Sequence, residues 1–467
     1  MQSFSHYLNI IKEVGFVRQI LTSVVLVEGL PGVHIAELVL FENGAIGTVM
    51  GINNHIEVVL LSRHLVSSGE RVVRSGTTLR IPVDSSLLGR VVDPLLTPLD
   101  SGPALKQTTD SWAVDVRPSG MQNRAMIDTP LETGVTIVDT VLPLGRGQRE
   151  LVIGDRKTGK STFVFQAMMR QLSLGTICIY GLIGKKAGET ERLFQSLREH
   201  KLESQVVVVS TQASDPAGLI FVTPYTAMTI AEYFCNQGKD VLVILDDLTT
   251  HARFYRQTTL LARRFPGRNS YPGDIFYVHA RLLERAGKFK KGTISCLPIA
   301  ETVSAELSGY IQTNLMAITD GHLFFDLTLF NQGKRPAINP YLSVTRVGYQ
   351  AQNNLVRDTA SELSRFLVHY QKMQDFLHFG AELSQDIQKT LAMGARIEEV
   401  FTQGYDQVVP ISLSLITLAG MWAGVEFKQT DPLFVKTVEE MINKSVTFAQ
   451  LVEQVKINRT IYESKTY

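Results

Sequence analysis

The eight residues GDRKTGKS, Gly154 to Ser161, constrain the fold of this chain more than any other stretch. They fit G-x-x-x-x-G-K-[ST], with Gly154, Gly159, Lys160 and Ser161 at the fixed positions and Asp155, Arg156, Lys157 and Thr158 between them. From average residue usage, a chance match in 467 residues is on the order of a few per cent. The flanks lower it further. RELVI, from Arg149, reads as a strand, and STFVFQAMMRQL, from Ser161, sets Phe163 with Ala167 and Val164 with Met168 four residues apart, as a helix does. Strand, glycine loop and helix aim backbone N–H groups and a helix N-terminus at one point, which suits a phosphate. In such a loop Lys160 reaches the β- and γ-phosphates and the Ser161 hydroxyl ligates Mg2+. The same chemistry asks for an acid at the end of a later apolar strand. VLVILDD, Val241 to Asp247, offers Asp246, whose plainer reading is a helix N-cap.

Around this motif the chain changes character twice. From about Gly15 to Pro82, short β-branched runs such as ILTSVVLVEGLPG and GTVMGINNHIEVVLL alternate with Asn-Gly, Pro-Gly and Asn-Asn turns, which predicts a small all-β barrel or sandwich over residues 1–83. Residues 84–348 alternate apolar strands with helical periods, the pattern of an α/β sheet, with VVVVS, VLVIL and FYVHA as its buried strands. Residues 349–467 read as helical, since Leu363, Leu367, Tyr370, Met373 and Leu377 recur every three to four positions. A multidomain chain is also what the length leads one to expect.

Several ordered blocks carry a resemblance over nearly the whole chain: LLGRVVDPLLTPLDSGPAL, GDRKTGKS, YRQTTLLARRFPGRNSYPGDIFYVHARLLERAGK, ITDGHLFFDLTLFNQGKRPAINPYLSVTRVG and FGAELSQD. The chain resembles the alpha subunits of the F1 sector of F-type ATP synthases. The resemblance implies an N-terminal β barrel, a central P-loop (RecA-like) α/β nucleotide-binding domain and a C-terminal helical domain. It further implies ATP or ADP with Mg2+ as cofactors, and a hexamer alternating with beta subunits around a gamma shaft. A delta or other peripheral-stalk subunit completes the set. Such an assembly sits peripherally on the cytoplasmic face of the inner membrane and couples ATP synthesis or hydrolysis to transport of H+ or Na+. The stretch ahead of Gly15 is shorter than is usual for the family, so a variant without a standard delta subunit stays open, and Phe4, Leu8 and Ile11 are read as one short apolar helical face.

The resemblance also lets residues be read one by one. Catalytic relatives carry Gly-Glu-Arg after the P-loop helix, with the Glu orienting the attacking water. This chain has Gly184, Lys185 and Lys186 there, where alpha subunits usually carry Gln in place of the Glu. A lysine cannot do a carboxylate's work as general base at neutral pH, so this site is expected to bind nucleotide without turning it over. Glu189 and Glu191 are read as a solvated helix face rather than as a substitute base. Arg346, in SVTRVG, matches the alpha-subunit arginine that reaches the phosphates of the adjacent beta site, and it is the expected catalytic contribution. Arg335 and Pro336 match positions bordering the adenine. Gln403 matches one adenine-contacting glutamine, while Tyr405 stands where the second is expected and offers a ring to stack on the base.

Composition excludes other classes. Lys plus Arg (46) balance Asp plus Glu (45), which leaves no global basic field for nucleic acid. That argues against a ring-shaped RNA translocase, and Lys185 argues against a self-sufficient export-type hexameric ATPase, which keeps the catalytic Glu. Cys178, Cys235 and Cys296 are odd in number and far apart, so neither a disulfide framework nor a metal site is expected. MQSFSHYLNIIKEVGF has no signal-peptide pattern, and ISLSLITLAGMWAGV, from Ile411, is too short to span a bilayer and is expected to be a buried helix. Contact with a membrane is therefore expected only through the complex.

Overall fold

A computed structural model describes residues 3–105, 110–378, 384–425 and 439–458. It resolves into two compact units, one made of the chain up to Ala125 with Gly175–Glu301 and Glu306–Thr319, the other of Met126–Leu174, Thr302–Ala305 and the chain from Asp320 onward.

The first unit opens with the helix Phe4–Ile11, in which Phe4, Tyr7, Leu8 and Ile11 are half-buried and the rest exposed. Six antiparallel strands follow: β1 (Gly15–Leu21), β2 (Val24–Glu28), β3 (Glu37–Phe41), β4 (Ile46–Ile52), β5 (Ile56–Leu60) and β6 (Arg71–Thr78). They close in the order β1-β2-β5-β4-β3-β6, and the pairing of Gly15 with Val72 seals the barrel. Closure removes the unpaired edges that a sheet of such short strands would otherwise expose. Val17, Val25, Val39, Phe41, Val49, Val58 and Val72 fill the interior. The Asn-Gly signal is a real turn: the Asn43 side chain accepts from the Ala45 N–H at 2.8 Å, and Gly44 takes a φ of +89°.

The same unit holds a parallel sheet in the order Thr293–Glu301, Asp240–Asp246, Ile177–Lys185, Val206–Gln212 and Val91–Val92. VVVVS and VLVIL are its central strands, buried on both faces as parallel strands are. FYVHA is not a strand. It lies in the helix Ile275–Leu283, where Ile275, His279, Leu282 and Leu283 are buried while Phe276 and Tyr277 are exposed. That is a period of three to four, not two. The strand that fills the sheet instead is TISCLPIAE, Thr293–Glu301.

In the second unit the strand Glu150–Gly154 runs parallel to Gly321–Phe325, which pairs in turn with the short antiparallel strand Val344–Thr345. The helix Lys160–Ser173 follows the first of these and buries Phe163, Val164, Ala167 and Met168, the spaced pairs of the sequence. The rest is helical: Asn354–His378, Gln385–Phe401, Ile411–Ala423 and Phe448–Ile457. Ile411–Ala423 is the buried helix expected, with Leu415, Ile416, Leu418 and Ala419 almost without exposure. Among the described residues no helix is long and apolar enough to cross a membrane. Of FGAELSQD, Phe379 to Leu383 lie outside the described residues, and Ser384 caps the helix that follows.

Candidate functional site

The loop Gly154–Ser161 is held by its own backbone. A side chain at Gly154 would meet the Phe325 carbonyl oxygen at 2.3 Å, so only glycine lets the strand end this close to its neighbour. Asp155 is buried, and its carboxylate accepts from the Thr302 hydroxyl and from the Ala305 N–H at 3.1 Å, which ties the loop to residues 302–305. The Thr158 hydroxyl closes the loop on the Asp155 carbonyl at 2.7 Å. Lys157 and Gly159 turn the chain with φ of +64° and +96°, and the helix starts at Lys160 with no side-chain cap. First-turn N–H groups without a side-chain acceptor, with Arg156, Lys157 and Lys160 around them, make a positive cradle. The Lys160 ammonium donates to the Gly154 and Asp155 carbonyls at 2.8 and 2.6 Å, while Arg156, Lys157 and Ser161 are exposed.

The acid at the strand end is already engaged. Asp246 closes the strand Asp240–Asp246, and the helix-capping duty falls to Asp247, which accepts from the Thr250 N–H at 2.6 Å and from the Thr250 hydroxyl at 3.1 Å. Lys185, at the end of the adjacent strand, turns inward, with its Nζ 2.6 Å from Asp246 Oδ1 and 3.0 Å from Asp247 Oδ2. The Tyr180 hydroxyl donates to Asp246 Oδ2 at 3.2 Å. Burial works against the Lys185 ammonium, but Asp246 and then Asp247 outweigh it and hold the lysine charged, above its ordinary range. Glu189 and Glu191 are exposed on the helix Ala187–Glu199, as a solvated face should be.

Arg346 follows the edge strand Val344–Thr345 and is anchored by its backbone, whose N–H donates to the Asp320 carbonyl at 3.0 Å. Arg346 is exposed and, among the described residues, its side chain makes no hydrogen bond or salt bridge, although its charge acts on the buried Glu150. Arg335 stacks its guanidinium 3.6 Å from the centre of the Phe330 ring and donates to the Phe330 and Lys334 carbonyls. Arg335 and Pro336 line one cavity of about 650 Å3 together with Tyr341, Tyr370 and Thr402. Gln403 does not line it. Its amide is buried, accepting from the Thr136 N–H at 2.7 Å and donating to the Gly134 carbonyl at 2.9 Å. Tyr405 is half exposed and stacks on Phe165 with centroids 5.5 Å apart.

Residues 134–345 match the model of the ATP synthase alpha/beta family's nucleotide-binding domain, and 352–466 match that family's C-terminal domain. Together they take in most of the chain. This chain belongs to the ATP synthase alpha/beta family. Its relatives include the "ATP synthase subunit alpha" of Dictyoglomus thermophilum, 40% identical over 447 residues that cover 94% of this chain and 87% of that protein. The subunit alpha of Staphylococcus epidermidis is 40% identical over 421 residues, 89% of this chain and 83% of its own. "ATP synthase subunit alpha 1" of Chlorobium luteolum is 40% identical over 431 residues, 91% and 83%. These are alpha subunits of the family, which places the chain on the alpha side and leaves the export-type alternative unfavoured.

Within the family's nucleotide-binding domain fall the loop, Lys185 and Asp246; Arg346 stands one position past its end. Sequence reasoning missed three residues here. Asp247 had a signal, an acid three residues before Thr250 at a strand-to-helix junction. Tyr180 and Thr302 had none, because nothing local marks which acid a distant hydroxyl will meet. A fourth residue, Glu150, is fully buried at the start of the loop's strand, where burial holds its carboxyl well above the usual carboxylate range.

Proposed function

We propose that this chain is the nucleotide-holding, non-hydrolysing alpha subunit of a rotary ATP synthase F1 sector. In this reading it lends Arg346 to the catalytic site of a neighbouring beta subunit. The observation that carries this is the ion pair of Lys185 with Asp246 and Asp247. Hydrolysis needs a group that accepts a proton from water or orients it. At the position where catalytic relatives carry Glu stands a charged lysine with its ammonium committed to two carboxylates. The phosphates of ATP or ADP are held by the loop from Gly154 to Ser161, with Asp155, Arg156, Lys157 and Thr158 shaping it and Lys160 moving off the carbonyls to reach the ligand. Arg335, Pro336, Gln403 and Tyr405 are the residues proposed for the base; the inward use of the Gln403 amide favours the first two and the Tyr405 ring.

Mg2+ is the further cofactor of this fold, with Ser161 and Asp246 as the residues to hold it. The exposed Ser161 hydroxyl fits that role. Asp246 does not, because Lys185 already neutralises it, and no step is routed through the metal. The partners in this reading are beta subunits, a gamma shaft and a delta or other stalk subunit, and the complex sits on the cytoplasmic face of the membrane. Arg346 supports the arrangement: an exposed arginine whose side chain makes no hydrogen bond or salt bridge among the described residues is what a site in a neighbouring subunit would use. The test is ATP turnover by the purified chain, alone and mixed with its beta partner. Little turnover alone and robust turnover in the mixture is the expected result. Robust turnover by the chain alone, abolished by Lys160→Ala, would overturn the reading.

A further inference from the structure

Within the second unit, the strand that leads into the phosphate loop begins with a buried acid. Glu150 pairs across the sheet with Gly321, and Gly321 pairs in turn with Thr345, the residue before Arg346. An added Cβ at Gly321 would meet Glu150 Oε2 at 2.6 Å, so the missing side chain gives the acid its room between the loop strand and the edge strand. Gln148 joins the two. Its Oε1 accepts from the Gly145 N–H at 2.8 Å, which fixes the amide, and its Nε2 donates to Glu150 Oε2 at 2.7 Å and to Thr345 Oγ1 at 3.1 Å. Oε2 of Glu150 is therefore an acceptor, and Oε1 is the atom left to carry a proton. That Oε1 is buried and has no hydrogen-bond partner among the described residues. An unsatisfied oxygen of this kind is a cost that a merely structural side chain would avoid.

Burial, with Asp320 adding to it, holds the Glu150 carboxyl well above the usual carboxylate range, against the Gln148 hydrogen bond and the Arg346 guanidinium. Asp320 is itself closed by the Arg149 guanidinium, at 2.7 and 3.0 Å. His322, on the strand between, is held below its ordinary range by burial and then by Arg346, against its hydrogen bond to the Leu342 carbonyl. Arg346 is left as the positive charge that answers Glu150. The coupling is mutual: whatever draws the guanidinium away favours a proton on Glu150, and loss of that proton draws the guanidinium back.

We propose that Glu150 is the positioning residue of Arg346: protonated, it leaves the guanidinium free for a neighbour's phosphates, and ionised, it draws the guanidinium back toward the sheet. The inference rests on the reading of Arg346 as a contribution to a neighbouring beta site and adds the proton that governs its reach.

The experiment is steady-state ATP hydrolysis by the complex assembled with the beta partner. The ratio of kcat for Glu150→Gln to kcat for the parent is followed across the pH range in which both complexes are stable, which divides out the groups they share. Glutamine copies the neutral acid, so the ratio is expected to climb about tenfold with rising pH as the parent's Glu150 ionises, the worth of one charged contact. A ratio flat in pH is what a merely structural residue gives, and it overturns the inference. In an Arg346→Ala background the ratio is expected to be flat; a climb there would show that Glu150 acts on something else and would equally overturn it. Near-normal turnover with Arg346→Ala alone overturns the arginine reading beneath it as well. Should Glu150→Gln not fold, infrared spectra of the parent chain and of Arg346→Ala decide the matter. The carbonyl stretch of a buried protonated acid is expected to persist to higher pH in Arg346→Ala, and identical titrations in the two chains overturn the inference.

Discussion

At the scale of single residues, the functional reading turns on where two cations point. Lys185 points inward onto Asp246 and Asp247, and Arg346 is exposed, with no hydrogen bond or salt bridge of its side chain among the described residues. If the exposed guanidinium serves a neighbour's phosphates, Arg346→Ala should leave ATP binding by this chain intact and slow turnover of the assembled complex at least ~100-fold, within the range for an arginine supplied across an interface. Near-normal turnover of a complex carrying that variant would contradict the role. The residue types at these positions were legible in the sequence, but their directions were not. A lysine in place of an acid says that a base is missing; that it clamps two carboxylates depends on adjacent strand ends in a sheet. A second pair lay wholly hidden. His251 and His279 are buried with their ring nitrogens 3.1 Å apart, and burial lowers His251 to about 4 and His279 well below its ordinary range. Both stay neutral in the fold while the unfolded chain protonates them near 6.5, so stability is full above that pH and is lost as pH falls from about 6.5 toward 4. Denaturant melts at pH 7 and pH 5 should differ by about 2 kcal/mol or more for the unit that holds them, and His279→Asn should reduce the difference.

At the scale of elements, strong patterns were readable and short ones were not. The valine run Val206–Val209 and the strand before Asp246 declare themselves by continuous apolarity, and the loop helix by its four-residue spacing. FYVHA is too short for its period to decide between strand and helix, and burial of His279 beside exposed Phe276 and Tyr277 is what separates them. The strand Thr293–Glu301 was obscured by Pro298, a residue that ordinarily argues against a central strand. Helix packing in the C-terminal part allows a prediction of its own. Gly394 lies against the Tyr370 ring so closely that an added Cβ would come within 2.2 Å of it. Gly394→Ala should therefore force the helices Asn354–His378 and Gln385–Phe401 apart and lower stability by ~1–3 kcal/mol, measurable as a fall in Tm by calorimetry. An unchanged Tm would mean that the Tyr370 ring has room to move aside.

For the whole molecule, barrel, nucleotide-binding domain and helical domain were each legible from the changes of sequence pattern, and the last two match the family's nucleotide-binding and C-terminal domains in that order. What the pattern left open was how Lys185 is held, because its ion pair with Asp246 and Asp247 depends on which strand ends lie side by side in the sheet. If Lys185 disables the water-activating position, as proposed, the chain should keep intact the nucleotide that it binds. The most direct test is a single-turnover experiment: the purified chain is loaded with ATP labelled at the γ-phosphate, freed of excess ligand, incubated and quenched in acid. The account predicts that the bound nucleotide is recovered as intact ATP over times in which the assembled complex turns over many times. Release of labelled phosphate from the chain alone at a rate comparable to that of the complex would contradict it.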